Sequence, residues 1–477
     1  MIRVKLRGHD FRYEAYQIIS LFYSKEDIVF TDDGNDMESI FDKESSSIEC
    51  VIYKGMGESI KRIIKVNPEN KKDIKNAIKM TILGCLEEHI GVKIPWGILV
   101  GIRPTKIVHE YIKKGFDDEA IMGEIISKYS LSNEKAKLAV EVAHNEERFL
   151  TTRGKGLSLY IGIPFCPTRC IYCSFTSNPV KGNSNLVEEY LNCLTKEINI
   201  TLQHIKKTGF YIDTLYMGGG TPTALSASQM ERLLNTVGSH LNSDDIREIT
   251  IEAGRPDSID MDKLSVIKDF GCKRISINPQ SMNDETLKRI GRMHSVNDVI
   301  EKYNMARSVG FDSINMDIII GLPGEGEEEV KRTMASLERL SPENITIHTM
   351  AVKRASILNE KEHNIRSSKA ASMYEIATSS AREMGMYPYY MYRQKNMVSP
   401  LENVGYCMKD KECIYNIQMI GENISIISFG ADAVTKMVFP EENRIERVAN
   451  LKDVREYINR IDEMIENKIN AINMLTK

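Results

Sequence analysis

Cys166, Cys170 and Cys173 stand in the stretch Ile163-Pro164-Phe165-Cys166-Pro167-Thr168-Arg169-Cys170-Ile171-Tyr172-Cys173, with spacing C-x3-C-x2-C. Iron–sulfur clusters usually take four cysteine ligands. Three thiolates can hold a [4Fe–4S] cluster and leave one iron open to a small molecule. S-adenosylmethionine, chelating through its amino and carboxylate groups, suits such a corner. The competing reading is structural zinc. Zinc wants four ligands, usually as two separated pairs, and the chain has no second C-x2-C. Pro164 and Pro167 stiffen the loop, and Tyr172 and Phe175 are placed to shield a cluster from water.

A glycine run, Met217-Gly218-Gly219-Gly220-Thr221-Pro222-Thr223, offers backbone that a ligand can approach closely. Alone it reads as a plain turn; directly after a strand, beside the cysteine loop, it reads as a binding segment. Glu252 lies near the end of a strand, where a carboxylate can accept from a ribose or an ammonium group or pair with Arg255. Gln280, Arg292 and Asp317 are similar cases, each also consistent with structural packing. A carboxylate is the natural partner for the Arg292 fork. Arg103, Arg354, Arg393 and Lys395 are candidate anion anchors. Tyr389-Tyr390-Met391-Tyr392-Arg393-Gln394-Lys395 reads equally as a platform for a flat, carboxylate-bearing substrate or as a plain surface stretch. The nine histidines form no metal-like cluster.

These residues need strands to position them. Six apolar or β-branched runs recur from Ser158 onward: Leu159–Ile163, Thr214–Met217, Glu248–Ala253, Lys273–Asn278, Ser313–Ile320 and Asn344–Met350, with helical segments between them. Strand–helix alternation means parallel strands with crossover helices. Six units predict an open, partial (β/α)6 barrel, in which chemistry sits at the carboxyl ends of strands. The cysteine loop follows the first strand. Before the barrel, 1–152 reads as an α+β domain, with strands at Ser47–Tyr53 and Ile60–Val66 and a helix over Asp73–Ile90. The barrel is expected over 153–365 and a C-terminal α+β extension over 366–477. That extension holds a helix from Ser367, an aromatic turn at Met386–Tyr392, a strand at Ile424–Phe429 and a terminal helix from Leu451 whose charges read as its solvated face.

At 477 residues the chain is too long for one ordinary core. A net charge of −4 supplies no global field for nucleic acid, and no stretch reaches the length of a membrane span. The amino terminus has no apolar leader segment, so the protein is expected in the cytoplasm. The odd number of cysteines, nine, argues against a disulfide framework. Cys50, Cys85, Cys193, Cys272, Cys407 and Cys413 read as small buried residues.

The cysteine triplet, Tyr160, the run 218–223, Arg274-Ile275-Ser276-Ile277-Asn278-Pro279-Gln280-Ser281 and Asp317-Ile318-Ile319-Ile320-Gly321-Leu322-Pro323-Gly324 together resemble the radical S-adenosylmethionine family. More narrowly they resemble its oxygen-independent coproporphyrinogen III oxidase group. Pro95-Trp96-Gly97, Gly101-Ile102-Arg103-Pro104-Thr105-Lys106 and Tyr392-Arg393-Gln394-Lys395-Asn396 resemble the HemZ-type coproporphyrinogen dehydrogenase branch. The resemblance implies that Cys166, Cys170 and Cys173 bind the cluster. It implies contacts to S-adenosylmethionine from Tyr160, Tyr172, Gly219, Gly220, Thr221, Glu252, Gln280, Arg292, Asp317, Ala351 and Val434. Oxidases of the group carry a fourth cysteine where Phe175 stands here. The haem-chaperone branch carries a His-Asn-x-x-Tyr-Trp run where this chain has Tyr415-Asn416-Ile417-Gln418-Met419-Ile420.

The activity so implied is oxidative decarboxylation of two propionates of coproporphyrinogen III to vinyl groups, giving protoporphyrinogen IX in haem biosynthesis. It needs a low-potential electron donor such as flavodoxin or ferredoxin, and no catalytic acid–base pair. The alternatives are a haem-binding chaperone and a radical methyltransferase acting on haem.

Overall fold

The computed structural model describes residues 1–476 except 56, 102, 152–153, 176, 352–368 and 395–396. Arg354 and Lys395 lie outside the described residues. The chain divides into two compact units, one of Met1–Ala143 with Tyr392–Glu402, the other of His144–Met391 with Asn403–Lys477.

The first unit is a sheet of β1 (Ile2–Arg7), β2 (Ile28–Phe30), β3 (Met37–Asp42), β4 (Ser47–Gly55) and β5 (Glu58–Lys65), in the order β2-β1-β3-β4-β5. β1 runs parallel to β2 and β3, and β3, β4 and β5 are antiparallel neighbours. Alternate residues Ile48, Cys50 and Ile52 join one core with Ile74, Ile78 and Ile82 from the helix Lys71–Ile90. Asn70 caps that helix by accepting from the backbone of Lys72 and Asp73, and Gly91 ends it at φ 77°.

Trp96 is fully buried in this unit. Its indole N–H donates to Glu402 at 2.5 Å, and Lys135 donates to the same carboxylate at 2.5 Å. The Arg393 guanidinium lies 5.2 Å from the Trp96 ring and donates to the carbonyls of Leu99, Leu401 and Pro400. Its hydrogen-bonding capacity is directed at backbone, which removes it as an anion anchor.

The second unit is built on one sheet. Its members are β6 (Gly156–Ile163), β9 (Tyr211–Gly219), β10 (Glu248–Glu252), β11 (Arg274–Ser276), β12 (Ser313–Ile320), β13 (Asn344–Thr349), β14 (Tyr387–Tyr392), β15 (Asn403–Cys407), β16 (Ile426–Phe429), β17 (Val434–Phe439) and β18 (Arg444–Ala449); β7 (Phe165–Cys166) and β8 (Asn178–Pro179) form a separate small ladder. The large sheet runs β14-β15-β13-β12-β11-β10-β9-β6-β16-β17-β18. Its centre, β6 and β9–β13, is the expected set of six parallel strands. The barrel stays open because both edges are extended: β15 runs antiparallel beside β13, and β16 pairs in parallel with β6. Strands from residues after 366 therefore complete this sheet.

Two local expectations change. Met386–Tyr392 was expected to turn, but β14 is a strand with Tyr389 and Met391 fully buried. Its aromatic residues form core, so Tyr389 and Tyr390 offer no open platform. The terminal helix is two helices, Val454–Asn459 and Ile461–Met474. Its charges are not all solvated: Lys468 is fully buried and paired with fully buried Glu197 on the helix Ser184–Ile205. Glu197 also accepts from the backbone N–H of Gly430 (2.9 Å), the side-chain amide of Asn450 (2.8 Å) and the hydroxyl of Tyr457 (2.7 Å). Among the described residues, no helix is long and apolar enough to cross a membrane.

Removing one partner of a buried, hydrogen-bonded ion pair costs about 3–5 kcal/mol. Lys468→Ala should therefore lower the unfolding free energy, extrapolated from a urea titration, by an amount in that range. Pairing Lys468→Met with Glu197→Gln should recover much of the loss, since no uncompensated charge is left buried.

Candidate active site

The parallel strands alternate sharply. Apolar Leu159 and Ile161, Leu215 and Met217, Ile249 and Ile251, Ile275, Ile314 and Met316, and Ile345 and Ile347 fall on one face. Ser158 and Tyr160, Tyr216, Thr250 and Glu252, Arg274 and Ser276, Asn315 and Asp317, and Thr346 and His348 fall on the other. Successive residues of a strand point to opposite faces, so this register gathers polar groups inside the barrel. They meet across strands: Thr346 donates to Asn315 at 3.0 Å, and Arg274 donates to Ser313 at 2.9 Å. At the amino-terminal ends of the strands, Gln418 on the helix Ile414–Gly421 accepts from Ser158 and donates to Asp213. Glu248 accepts from the N–H groups of Ile414 and Tyr415 at the start of that helix, at 2.7 and 3.1 Å.

The cysteine loop leaves the opposite, carboxyl end of β6. Its base is closed by β7 against β8, with Asn178 donating to the Pro164 carbonyl and Val180 to that of Cys166. Ile171 donates its N–H to Ile290, and Cys173 to Cys170. Cys166 and Cys170 are buried and Cys173 is half-buried. The glycine run packs on the start of the loop. The N–H of Gly220 donates to Ile163 and that of Thr221 to Phe165, both at 2.8 Å, and the Thr221 hydroxyl lies 3.3 Å from the Cys166 sulfur. Gly219 has φ 108°, a backbone state that favours glycine. A Cβ at Gly220 would stand 2.6 Å from the Phe165 oxygen and 3.0 Å from the Cys166 sulfur.

Tyr160 stacks against Tyr216 and Tyr415, with ring centroids 6.3 Å from each, and Tyr216 and Tyr415 are 4.5 Å apart. The Tyr216 hydroxyl donates to Glu252 at 2.5 Å. Burial pushes the Glu252 carboxyl up to about 7, against the Tyr216 hydrogen bond and with the help of the Asp317 charge. At Asp317 burial pulls the same way, but hydrogen bonds from His348, Asn315 and Thr346 outweigh it and hold the carboxyl below its ordinary range. Gln280 sits at φ 66°, its backbone N–H donating to the Asp317 main-chain carbonyl at 2.9 Å. Arg292 is buried, donating to the Asn278 carbonyl at 2.9 Å and to the Tyr172 hydroxyl at 3.1 Å. Ala351 directly follows Met350, whose N–H bonds to the end of β12 at Ile320.

Cys166, Tyr172, Gly219, Gly220, Thr221, Glu252, Gln280, Arg292, Asp317 and Ala351 thus all come from the carboxyl ends of the strands or the loops that follow them, and Tyr160 joins them through the tyrosine stack. Val434 begins β17 and is 43 % exposed. Phe175 is 62 % exposed, so of the two expected shields Tyr172 is the one turned inward. Tyr216, Tyr415 and Arg255 are additions. The alternation in Thr214–Met217 carried the signal for Tyr216. Tyr415 comes from a distant helix, where its run was compared with the chaperone motif but its stacking on Tyr160 and Tyr216 had no local signal.

The arrangement fits the implied cofactors. Three sulfurs lie at the rim of a polar barrel. The Gln280 side-chain oxygen and the Arg292 Nε, both in segments beyond the strands, are among the buried atoms without a hydrogen-bond partner. Buried polar atoms are nearly always paired, and a ligand bearing hydroxyl, ammonium and carboxylate groups has the matching chemistry. Among the described residues no three His, Cys, Asp or Glu side chains, the three cysteines included, converge as a metal site. A cavity of about 790 Å3 opens at the other end of the strands, lined by Arg247, Lys273 and Asp312. Its place at the amino-terminal ends separates it from the cysteine loop.

Residues 160–337 match the Radical SAM superfamily. The chain is 40 % identical to the oxygen-independent coproporphyrinogen-III oxidase-like protein HemZ of Bacillus subtilis, over 85 % of this chain and 82 % of that one. It is 33 % identical to the heme chaperone HemW of the same organism, over 49 % of this chain and 62 % of that one. In structure it resembles coproporphyrinogen III oxidase (HemN) of Escherichia coli, with TM-score 0.52 and 22 % identity over 68 % of this chain and 73 % of that one.

Gly220→Ala should lose most of its iron on reconstitution while keeping its far-ultraviolet circular dichroism, because the new methyl group collides with the Cys166 strand end. Glu252 supplies a pH signature. Its carboxyl holds a proton more tightly folded (about 7) than at its ordinary value of 4.5. Its contribution to stability is therefore complete below the ordinary value and is lost as pH rises through the folded one. The melting temperature of the wild type should fall more steeply between about pH 5 and 8 than that of Glu252→Gln.

Proposed function

The chain belongs to the radical S-adenosylmethionine superfamily and, within it, to the family of HemZ, the oxygen-independent coproporphyrinogen-III oxidase-like protein; from that membership we propose that it oxidatively decarboxylates coproporphyrinogen III to protoporphyrinogen IX. The observation that carries this reading is similarity to HemZ over 85 % of the chain, which extends well beyond the barrel match at 160–337. Its cofactors are a [4Fe–4S] cluster and S-adenosylmethionine. When bound, they supply one-electron chemistry that removes a hydrogen atom from an unactivated carbon of a propionate side chain. Loss of that atom, of carbon dioxide and of one further electron to an external one-electron acceptor leaves a vinyl group.

Cys166, Cys170 and Cys173 hold the cluster. Gly219, Gly220 and Thr221 present backbone that can lie against the amino-acid end of S-adenosylmethionine. Glu252, Gln280 and Asp317 offer acceptors for its hydroxyl and ammonium groups, and Arg292 offers a cation to its carboxylate. Tyr160 and Tyr172 close the apolar sides, while Ala351 and Val434 contribute packing contacts. The leaving carboxylate carries no proton, so the reaction needs no general base. Electrons come from a low-potential donor of the flavodoxin or ferredoxin type, and the compartment is the cytoplasm.

Haem handling is the second reading, favoured by the similarity to HemW over about half the chain. Tyr415, where that branch is expected to carry its histidine, is 5 % exposed and locked in the tyrosine stack. This favours the enzyme.

Reconstituted protein, incubated anaerobically with reductant, S-adenosylmethionine and either coproporphyrinogen III or haem, should convert the first to vinyl products detected by mass spectrometry. Cys170→Ala should abolish both the cluster absorbance and the product. Stable haem retention without turnover would instead support the chaperone reading, and a methylated linear tetrapyrrole the methyltransferase.

A further inference from the structure

Arg255 lies three residues beyond Glu252, at the carboxyl end of β10, and is 4 % exposed. All five of its N–H groups have a partner. Nε donates to Asp257 Oδ1 at 2.9 Å. Nη2 donates to Asp257 Oδ2 at 2.7 Å and to the Thr168 hydroxyl at 2.8 Å. Nη1 donates to the Thr168 carbonyl at 2.8 Å and to the Cys170 sulfur at 3.4 Å. A planar cation with five fixed donors thus grips the turn between the first two cysteines, and its last donor points at a sulfur. Asp257 forks onto the same guanidinium from the other side, orienting it and offsetting part of its charge.

Hydrogen bonds to ligand sulfurs, net charge and solvent exposure set the reduction potential of an iron–sulfur cluster, and the groups behind the ligands orient them. A buried cation that donates to a thiolate stabilises the more negative, reduced state. We infer that Arg255 is a positioning residue that raises the reduction potential of the cluster through its bond to Cys170, with Asp257 as the counterweight that limits the rise. The inference rests on Cys170 being a cluster ligand and is independent of which tetrapyrrole is the substrate.

The test is a redox titration of the reconstituted full-length chain, followed by electron paramagnetic resonance of the reduced cluster, without S-adenosylmethionine or substrate. Wild type, Arg255→Gln, Arg255→Lys and Asp257→Asn are compared, and iron and sulfide are measured for each. Arg255→Gln loses the cation and should make the cluster about tenfold harder to reduce, about 59 mV more negative for one electron. Arg255→Lys keeps the charge without the fork and should fall between it and the wild type. Asp257→Asn removes the counterweight and should shift the potential the opposite way, to more positive values. A role limited to holding the loop would change cluster content without this reversal of sign. The inference is overturned if fully loaded Arg255→Gln and Asp257→Asn titrate at the wild-type potential, or if both move in the same direction. Should Arg255→Gln fail to assemble a cluster, Asp257→Asn still decides, because an unchanged or more negative potential there overturns the inference. A Cys170→Ala protein that keeps its full cluster would instead remove the ligand assignment on which the inference stands.

Discussion

The approach of the glycine run to the end of β6 governs the rest of the site. Two backbone hydrogen bonds, Gly220 to Ile163 and Thr221 to Phe165, bring the end of one strand against the beginning of the cysteine loop. No side chain at 220 could be accommodated, because the space its Cβ would need already holds two carbonyl oxygens and the first cysteine sulfur. The orientation of Cys166 is therefore set by neighbouring main chain, which is far less mobile than a surface side chain. The ladder of β7 on β8 and the grip of Arg255 on Thr168 extend that control toward Cys170.

A barrel interior lined with polar groups is costly unless those groups are paired. Here the strands pair most of them with each other, through Arg274, Ser313, Asn315 and Thr346. The exceptions include Thr250, Ser276 and Asn344 along the strands and Gln280 and Arg292 in the segments beyond them. Gln280 combines a left-handed backbone with an unpartnered side-chain oxygen, and Arg292 is buried with one N–H unsatisfied. Strain and unsatisfied polarity of this kind persist where the surrounding structure over-determines them, and they cluster at ligand sites. Glu252 shows the same economy in its charge, held near neutrality by burial beside Tyr216.

The branch motifs outside the barrel have a structural explanation of a different kind. Trp96, Lys135, Arg393 and Glu402 form one buried cluster within the first unit. Read one at a time, Trp96 marks a loop and Arg393 looks like a free cation. Together they tie the segment Tyr392–Glu402 to residues 300 positions earlier by satisfying a buried carboxylate and a run of carbonyls. Local pattern cannot report such a partnership, because nothing in the neighbourhood of Arg393 in sequence names Leu99 as its acceptor.

Sequence alone determined the period and the punctuation. Six strands, the helix from Asp73, the cysteine spacing and the glycine run were legible because each depends on residues close in the chain: the period of apolar side chains, the spacing of thiols, and the absence of a Cβ. The strand Ser313–Ile320 was read to its final residue for that reason. Tertiary structure decided what the remaining residues are for. It made the aromatic stretch at 387–392 a core strand, buried Lys468 against Glu197, stacked Tyr415 on Tyr160 and Tyr216, and aimed Arg255 at a cysteine sulfur. Those outcomes depend on groups that are distant in the chain and adjacent only after the sheet has assembled, so their physics is one of burial and pairing that no local pattern encodes.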